Sequence, residues 1–249
     1  MNNAPSGGDL RKQRDLGQIV DTAIKVYRQN FGEFVGIAAV TMPISAVAAI
    51  AGSLIQDRVT ATIVGLCLLI PNVAVALVAQ AAMVRAIADV ADGVPPDFNF
   101  VYARVLERLG KLFMTFFRVL VVFVALCITI VGIPFGIYFV VRWAFFTQAV
   151  IIEGQSGREA TDLSARLVQD CWWRTLGILI VLGLLASFPT GLVSLIFSSA
   201  APIAGSLATA VMGVIVLPFS AAATTLLYFD LSSRKAALAV VGDSGLPGD

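Results

Sequence analysis

Six apolar runs, each close to twenty residues and separated by polar breaks, dominate this 249-residue chain. A bilayer core of about 30 Å takes about 20 helical residues at 1.5 Å each. With no water inside it, only helices and closed barrels satisfy their own backbone. The pattern predicts an all-α integral membrane protein with spans at about residues 34–55, 60–83, 113–132, 134–151, 175–197 and 207–229. Composition agrees, since 13% of residues are charged where a soluble domain carries roughly 25%.

The breaks are uneven. "QDR" (Gln56 to Arg58), "GIP" (Gly132 to Pro134) and "SSAAPIAG" (Ser198 to Gly205) each join two runs, so the spans are expected as three transmembrane hairpins. Lysine and arginine are segregated accordingly. The N-terminal segment holds Arg11, Lys12, Arg14, Lys25 and Arg28. The next two connections hold Arg85, Arg104, Arg108 and Lys111, then Arg158, Arg166 and Arg174, and the C-terminal segment holds Arg234 and Lys235. Against these, the hairpin tips carry Arg58 alone. Because basic loops stay in the cytoplasm, both termini are expected there, in a bacterial cytoplasmic (inner) membrane. The first run starts near Glu33, too far along for a cleaved signal peptide.

A short amphipathic stretch precedes each hairpin: "LGQIVDTAIKVYRQNF", "FVYARVLERLGKLF" and "GREATDLSARLVQDCWW". In the first, Ile19, Ala23 and Val26 recur at helical spacing while Asp21, Lys25 and Arg28 face elsewhere. Each stretch is expected to lie in the cytoplasmic interface as a helix. The organisation read from the sequence is a polar segment over 1–13, one six-span membrane domain over 14–235, and a disordered glycine-rich tail over 236–249.

The chain has no histidine, which removes the commonest general base and metal ligand. Its cysteines, Cys67, Cys127 and Cys171, show no paired spacing, so neither a disulfide framework nor a thiolate metal site is expected. No cofactor and no metal is indicated. The net charge of +1 gives no reason to expect nucleic acid.

Two of the charges, Arg118 and Arg142, lie inside the expected spans; Arg118, close to the cytoplasmic side, can snorkel out and is assigned no site. Arg142, in "VVRWAFFTQAVIIEG", lies eight residues beyond Pro134, about 12 Å into the bilayer at the helical rise. A central arginine costs roughly 2.5–3.5 kcal/mol on insertion scales, so it needs compensation. Asn72 and Pro71, near the middle of the second span, are the candidate partners, because Pro71 frees the carbonyl of Cys67. Arg142 is then either a ligand-binding group beside Asn72 or a brace for the bundle. Pro43, Pro71, Pro189 and Pro218 each fall near a span midpoint, as in transporters whose broken helices expose backbone to a substrate, although prolines also serve packing. Glu153, Asp230 and Asp89 end or follow spans on the cytoplasmic face. They are weaker candidates, for which solvated helix ends are the simpler reading.

Three segments, "LGQIVDTAIKVYRQNF", "VRWAFFTQAVIIEGQSGREATDLSARLVQDCWWRTLGI" and "LLYFDLSSRK", together resemble the bacterial glycerophosphoryl diester phosphodiesterase membrane-domain family. The resemblance covers about Leu16 to Lys235 and rests most on the arginine-tryptophan step, the Glu153-Gly154 pair and the helix leading to Trp172. It departs at Asp162 to Ser164 and at Ser232-Ser233, both of which loosen a basic cytoplasmic surface. What it implies is the membrane part without the catalytic barrel. The expected role is a non-catalytic binding, scaffold or accessory module linked to lipid or envelope metabolism. Membrane lipids are its first partners, and the small-residue stripe Gly183, Ser187 and Gly191 leaves a protein partner or homo-oligomer open. The alternatives are a small transporter or lipid-handling protein with a midplane site at Arg142, and a membrane enzyme acting on phospholipid headgroups.

Overall fold

Among the residues described by the computed structural model (10–11, 14–55, 57–128, 132–197 and 202–243), every regular element is a helix. In chain order these are α1 (Leu16–Gln29), α2 (Phe31–Ala38), a 3-10 turn (Ala39–Thr41), α3 (Met42–Leu54) and α4 (Arg58–Ala91). They continue with α5 (Phe98–Glu107), α6 (Leu109–Cys127), α7 (Gly132–Arg142), α8 (Phe146–Ile151), α9 (Gly157–Val168), α10 (Trp172–Phe197) and α11 (Pro202–Asp243). Six segments are long and apolar enough to cross a membrane: Phe31–Gly52, Arg58–Ala91, Leu109–Cys127, Pro134–Ile151, Trp172–Phe197 and Ala204–Leu238.

Local chemistry sets where helices start and bend. Asp57 caps α4, accepting from the Thr60 backbone at 2.8 Å and from its hydroxyl at 2.6 Å. In the first span the 3-10 turn comes just before Pro43, whose ring and missing N–H disturb the preceding turn. The Thr41 hydroxyl donates to the Ala38 carbonyl there at 2.8 Å.

Burial divides the molecule lengthwise. The first half of α4 turns Val59, Ile63, Leu66 and Ile70 outward, whereas Ala81 to Ala91 are almost wholly buried apart from Arg85 and Val90. Along α10, Ile178 and Leu182 are buried but Leu184, Phe188 and Leu195 are exposed. In α11 the run Leu226 to Leu231 is closed off. Hydrocarbon-facing side chains gain little from burying one another, so helices can splay there. Where they leave hydrocarbon their apolar faces need cover. That cover comes from Ile19, Ala23 and Val26 of α1, Val101 and Val105 of α5, and Ala160, Leu167 and Val168 of α9.

α11, with 42 residues, spans about 63 Å at the helical rise. It touches α1, α2, α3, α4, α9 and α10, and so forms the spine of the fold. α3 lies on α4, α6 on α7, and α10 on α11.

Two features differ from the sequence expectation. The fourth apolar run is not one helix: α7 stops at Arg142, the chain turns through Trp143 to Phe145, and α8 is buried from Thr147 to Ile151. α11 also runs past residue 235 to Asp243 where a disordered tail was expected; 244–249, like 1–9 and 12–13, lie outside the described residues.

Two tyrosines tie the flanking helices to the spans. Tyr27 donates to the Ile215 carbonyl at 3.0 Å and Tyr102 to the Ile37 carbonyl at 2.8 Å. Burial pushes the Tyr102 hydroxyl up to about 12 from its ordinary 10.0. A raised folded-state value means that this group's contribution is complete below pH 10 and is lost as pH rises through 12. Tyr102→Phe is expected to cost about 1 kcal/mol at neutral pH and to flatten the decline in melting temperature across that window. Thermal unfolding in detergent from pH 9 to 12, wild type beside variant, measures both effects.

Candidate functional site

Asp230 has no solvent exposure and sits in α11 at the closed end of the molecule. A buried carboxylate is tolerable only when its oxygens are paired, and here both are. Oδ1 accepts from the Arg14 backbone N–H at 2.7 Å and from Arg234 Nε at 2.9 Å, and Oδ2 accepts from Arg174 Nη1 at 2.8 Å. The same two guanidinium groups also donate to the Arg14 carbonyl, Arg174 at 2.9 Å and Arg234 at 3.2 Å. One carboxylate therefore joins the chain ahead of α1 to the start of α10 and to α11.

The other two acids have separate partners. Asp89, 3% exposed, pairs with Arg85 one turn earlier on α4, and its second oxygen is buried without a hydrogen bond. Glu153, exposed beyond α8, accepts from the Tyr228 hydroxyl at 2.9 Å. The structure thus corrects the expectation of solvated ends for Asp89 and Asp230, which are core charges. Among the described residues no three acids or cysteines are grouped to hold a metal ion.

Arg142 closes α7, and the turn after it is clamped by α9. The Ser164 hydroxyl donates to the Arg142 carbonyl at 2.9 Å and accepts from the Phe145 backbone at 3.1 Å. The guanidinium reaches back one turn, with Nη1 at 2.6 Å from the Tyr138 hydroxyl and its carbon 5.7 Å from the ring centre. Arg142 is therefore engaged with Tyr138 rather than with Asn72 or the Cys67 carbonyl, and it belongs to the helix break beside α9.

Asn72 and Pro71 lie elsewhere. Asn72 lines a cavity of about 560 Å³ between α3, α4, α10 and α11, together with Thr41, Ser45, Ser194, Ser206 and Thr209. A smaller apolar cavity of about 190 Å³ between α3 and α4 reaches the same side chain. Three of the helices around the larger cavity carry a proline beside a lining residue: Pro43, Pro71 and Pro218. Thr41 and Thr209 donate to carbonyls of their own helices, Ala38 and Gly205, each at 2.8 Å. Their oxygens remain acceptors toward the cavity.

The residues that sequence reasoning missed are Arg14, Arg174 and Arg234. The four-residue step from Asp230 to Arg234 is a local signal of pairing, but nothing local relates either residue to Arg14. No protein-family model, curated protein or solved structure matches this chain.

Asp230→Asn places an amide N–H against guanidinium donors and leaves two arginines without their counter-charge. It is expected to cost about 3–5 kcal/mol, the range for breaking a buried pair, and to free the segment ahead of α1. Thermal melting, with proteolysis near Arg14 as the local readout, tests this. A variant as stable and as resistant as wild type would show the latch to be dispensable.

Proposed function

We propose that the chain is a multi-pass protein of a bacterial cytoplasmic membrane, built as three hairpins each entered through an interfacial helix, with both termini cytoplasmic. On this reading it works as a non-catalytic binding module that takes an uncharged amphiphile into the cavity at Asn72. Charge segregation supports the orientation. The packing of α3 on α4, α6 on α7 and α10 on α11 supports the hairpins.

The observation that carries the ligand reading is Asn72 itself. Its amide stands near the middle of a 34-residue apolar helix and faces a cavity ringed by hydroxyl-bearing residues. A polar amide without a partner costs roughly 2–7 kcal/mol in an apolar surround, and a ligand hydroxyl or carbonyl removes that cost. Among the described residues no charged side chain lines the cavity, so an ionised ligand would enter without a counter-ion from them. A glyceride or a long-chain alcohol fits both conditions, with its head at Asn72 and its tail along the exposed faces of α3, α4 and α10. Glu153, Asp230 and Asp89 are each held by a neighbouring side chain, which supports binding over headgroup chemistry. The resemblance to the membrane-domain family points the same way, since what it implies is the membrane part alone.

Native mass spectrometry of the detergent-purified chain with added diacylglycerol tests the reading. The wild type is expected to retain the lipid. Asn72→Leu is expected to lose about tenfold in affinity, the equivalent of one or two hydrogen bonds, with no fall in melting temperature. Equal retention by the two proteins, or none by the wild type, would sink it.

A further inference from the structure

A second cavity, unrelated to the one at Asn72, lies where α4, α5 and α6 meet α8. It measures about 270 Å³ and is lined by Arg85, Arg104, Val105, Glu107, Arg108 and Ile151. We infer that Arg85, Arg104 and Arg108 form a binding site for a phosphate group.

The three arginines come from different parts of the chain and converge for separate reasons. Arg85 lies 27 residues beyond Arg58 on one helix, about 40 Å at the helical rise. It has therefore passed the hydrocarbon and stands at headgroup level. Arg104, in the last turn of α5, and Arg108, the residue that ends that helix, line the same cavity. Val105 and Ile151 are buried and close the apolar side.

Each guanidinium is oriented by the protein yet keeps donors to spare. Arg85 is tied to Asp89, while its Nε is buried without any hydrogen bond. Arg104 stacks over the Phe100 ring at 4.2 Å, a contact that uses none of its N–H groups. Arg108 directs Nη1 to the Val150 and Ile151 carbonyls at 3.1 and 2.7 Å. There it caps α8 and lies against Gly154, whose φ of +73° turns the chain close past the guanidinium. With five donors per guanidinium, most remain for a ligand.

Charge favours an anion. Three guanidinium groups face the Asp89 and Glu107 carboxylates, and Glu107, exposed at the rim, makes no ion pair with any of them among the described residues. The surplus is positive. A carboxylate is planar and is satisfied by one arginine fork, whereas a phosphate offers oxygens in three directions and suits several forks converging from separate elements. The group can arrive on a membrane phospholipid, since basic pockets between helices bind lipid headgroups, or as a soluble phosphate, which offers the same oxygens.

The test uses the full chain in detergent. Native mass spectrometry measures retention of phosphatidylglycerol, and thermal unfolding compares inorganic phosphate with chloride at equal ionic strength. The variants are Arg104→Gln, the charge-balanced pair Arg85→Gln with Asp89→Asn, and Arg158→Gln as an exposed arginine elsewhere on the same end. If the phosphate arrives on a lipid, Arg104→Gln and the paired variant retain phosphatidylglycerol about tenfold more weakly, the scale of one charge-assisted contact. Arg158→Gln and Asn72→Leu then match wild type. If it arrives in solution, inorganic phosphate raises the melting temperature of the wild type above its value in chloride, and both pocket variants abolish that rise. The inference fails if neither readout depends on Arg104 or on the paired variant, or if Arg158→Gln weakens binding as much as they do.

Discussion

The Asp230 carboxylate holds together parts of the chain that no local interaction would bring near one another. It lies in a helix it could not occupy alone, since an unpaired charge there would cost several kcal/mol. Its partners come from the segment ahead of α1, from α10 and from its own helix. The N-terminal segment thereby contributes a backbone N–H and a carbonyl, and α1 is delivered to the face of α11 that it covers. Burial of Ile19, Ala23 and Val26 follows from that placement.

Two solvents explain the remaining layout. The outward faces of α3, α4, α6 and α10 are apolar and loosely gathered, as suits helices whose surround is as apolar as their side chains. At the other end α1, α5, α8 and α9 close over the span ends, and the ion pairs among the described residues collect there. The polar groups between the proline-bearing helices are exceptions to the first regime and the arginine-lined pocket is an exception to the second, which is why each reads as a place for something other than protein.

Much of the architecture was legible in composition because hydrocarbon constrains sequence so strongly: the six apolar segments follow from length and charge alone. The break in the fourth was hidden, since Trp143, Ala144 and Phe145 are as apolar as their neighbours and the turn is fixed by Ser164 from a later helix. That same break takes Arg142 out of the site in which the sequence suggested it. Asn72 was legible as a polar residue beside a proline in a span, but its cavity depends on hydroxyls from three other helices. The arginines of the second pocket were visible only as segregated basic charge, because their convergence depends on α8 folding back between α4 and α6.

The length of α11 ties these regions together. Leu217 borders the Asn72 cavity and Asp230 anchors the N-terminal segment, thirteen residues apart on one helix with Pro218 between them and so about 20 Å along it. One helix thus carries both a wall of the Asn72 cavity and the carboxylate that holds the chain ahead of α1 in place.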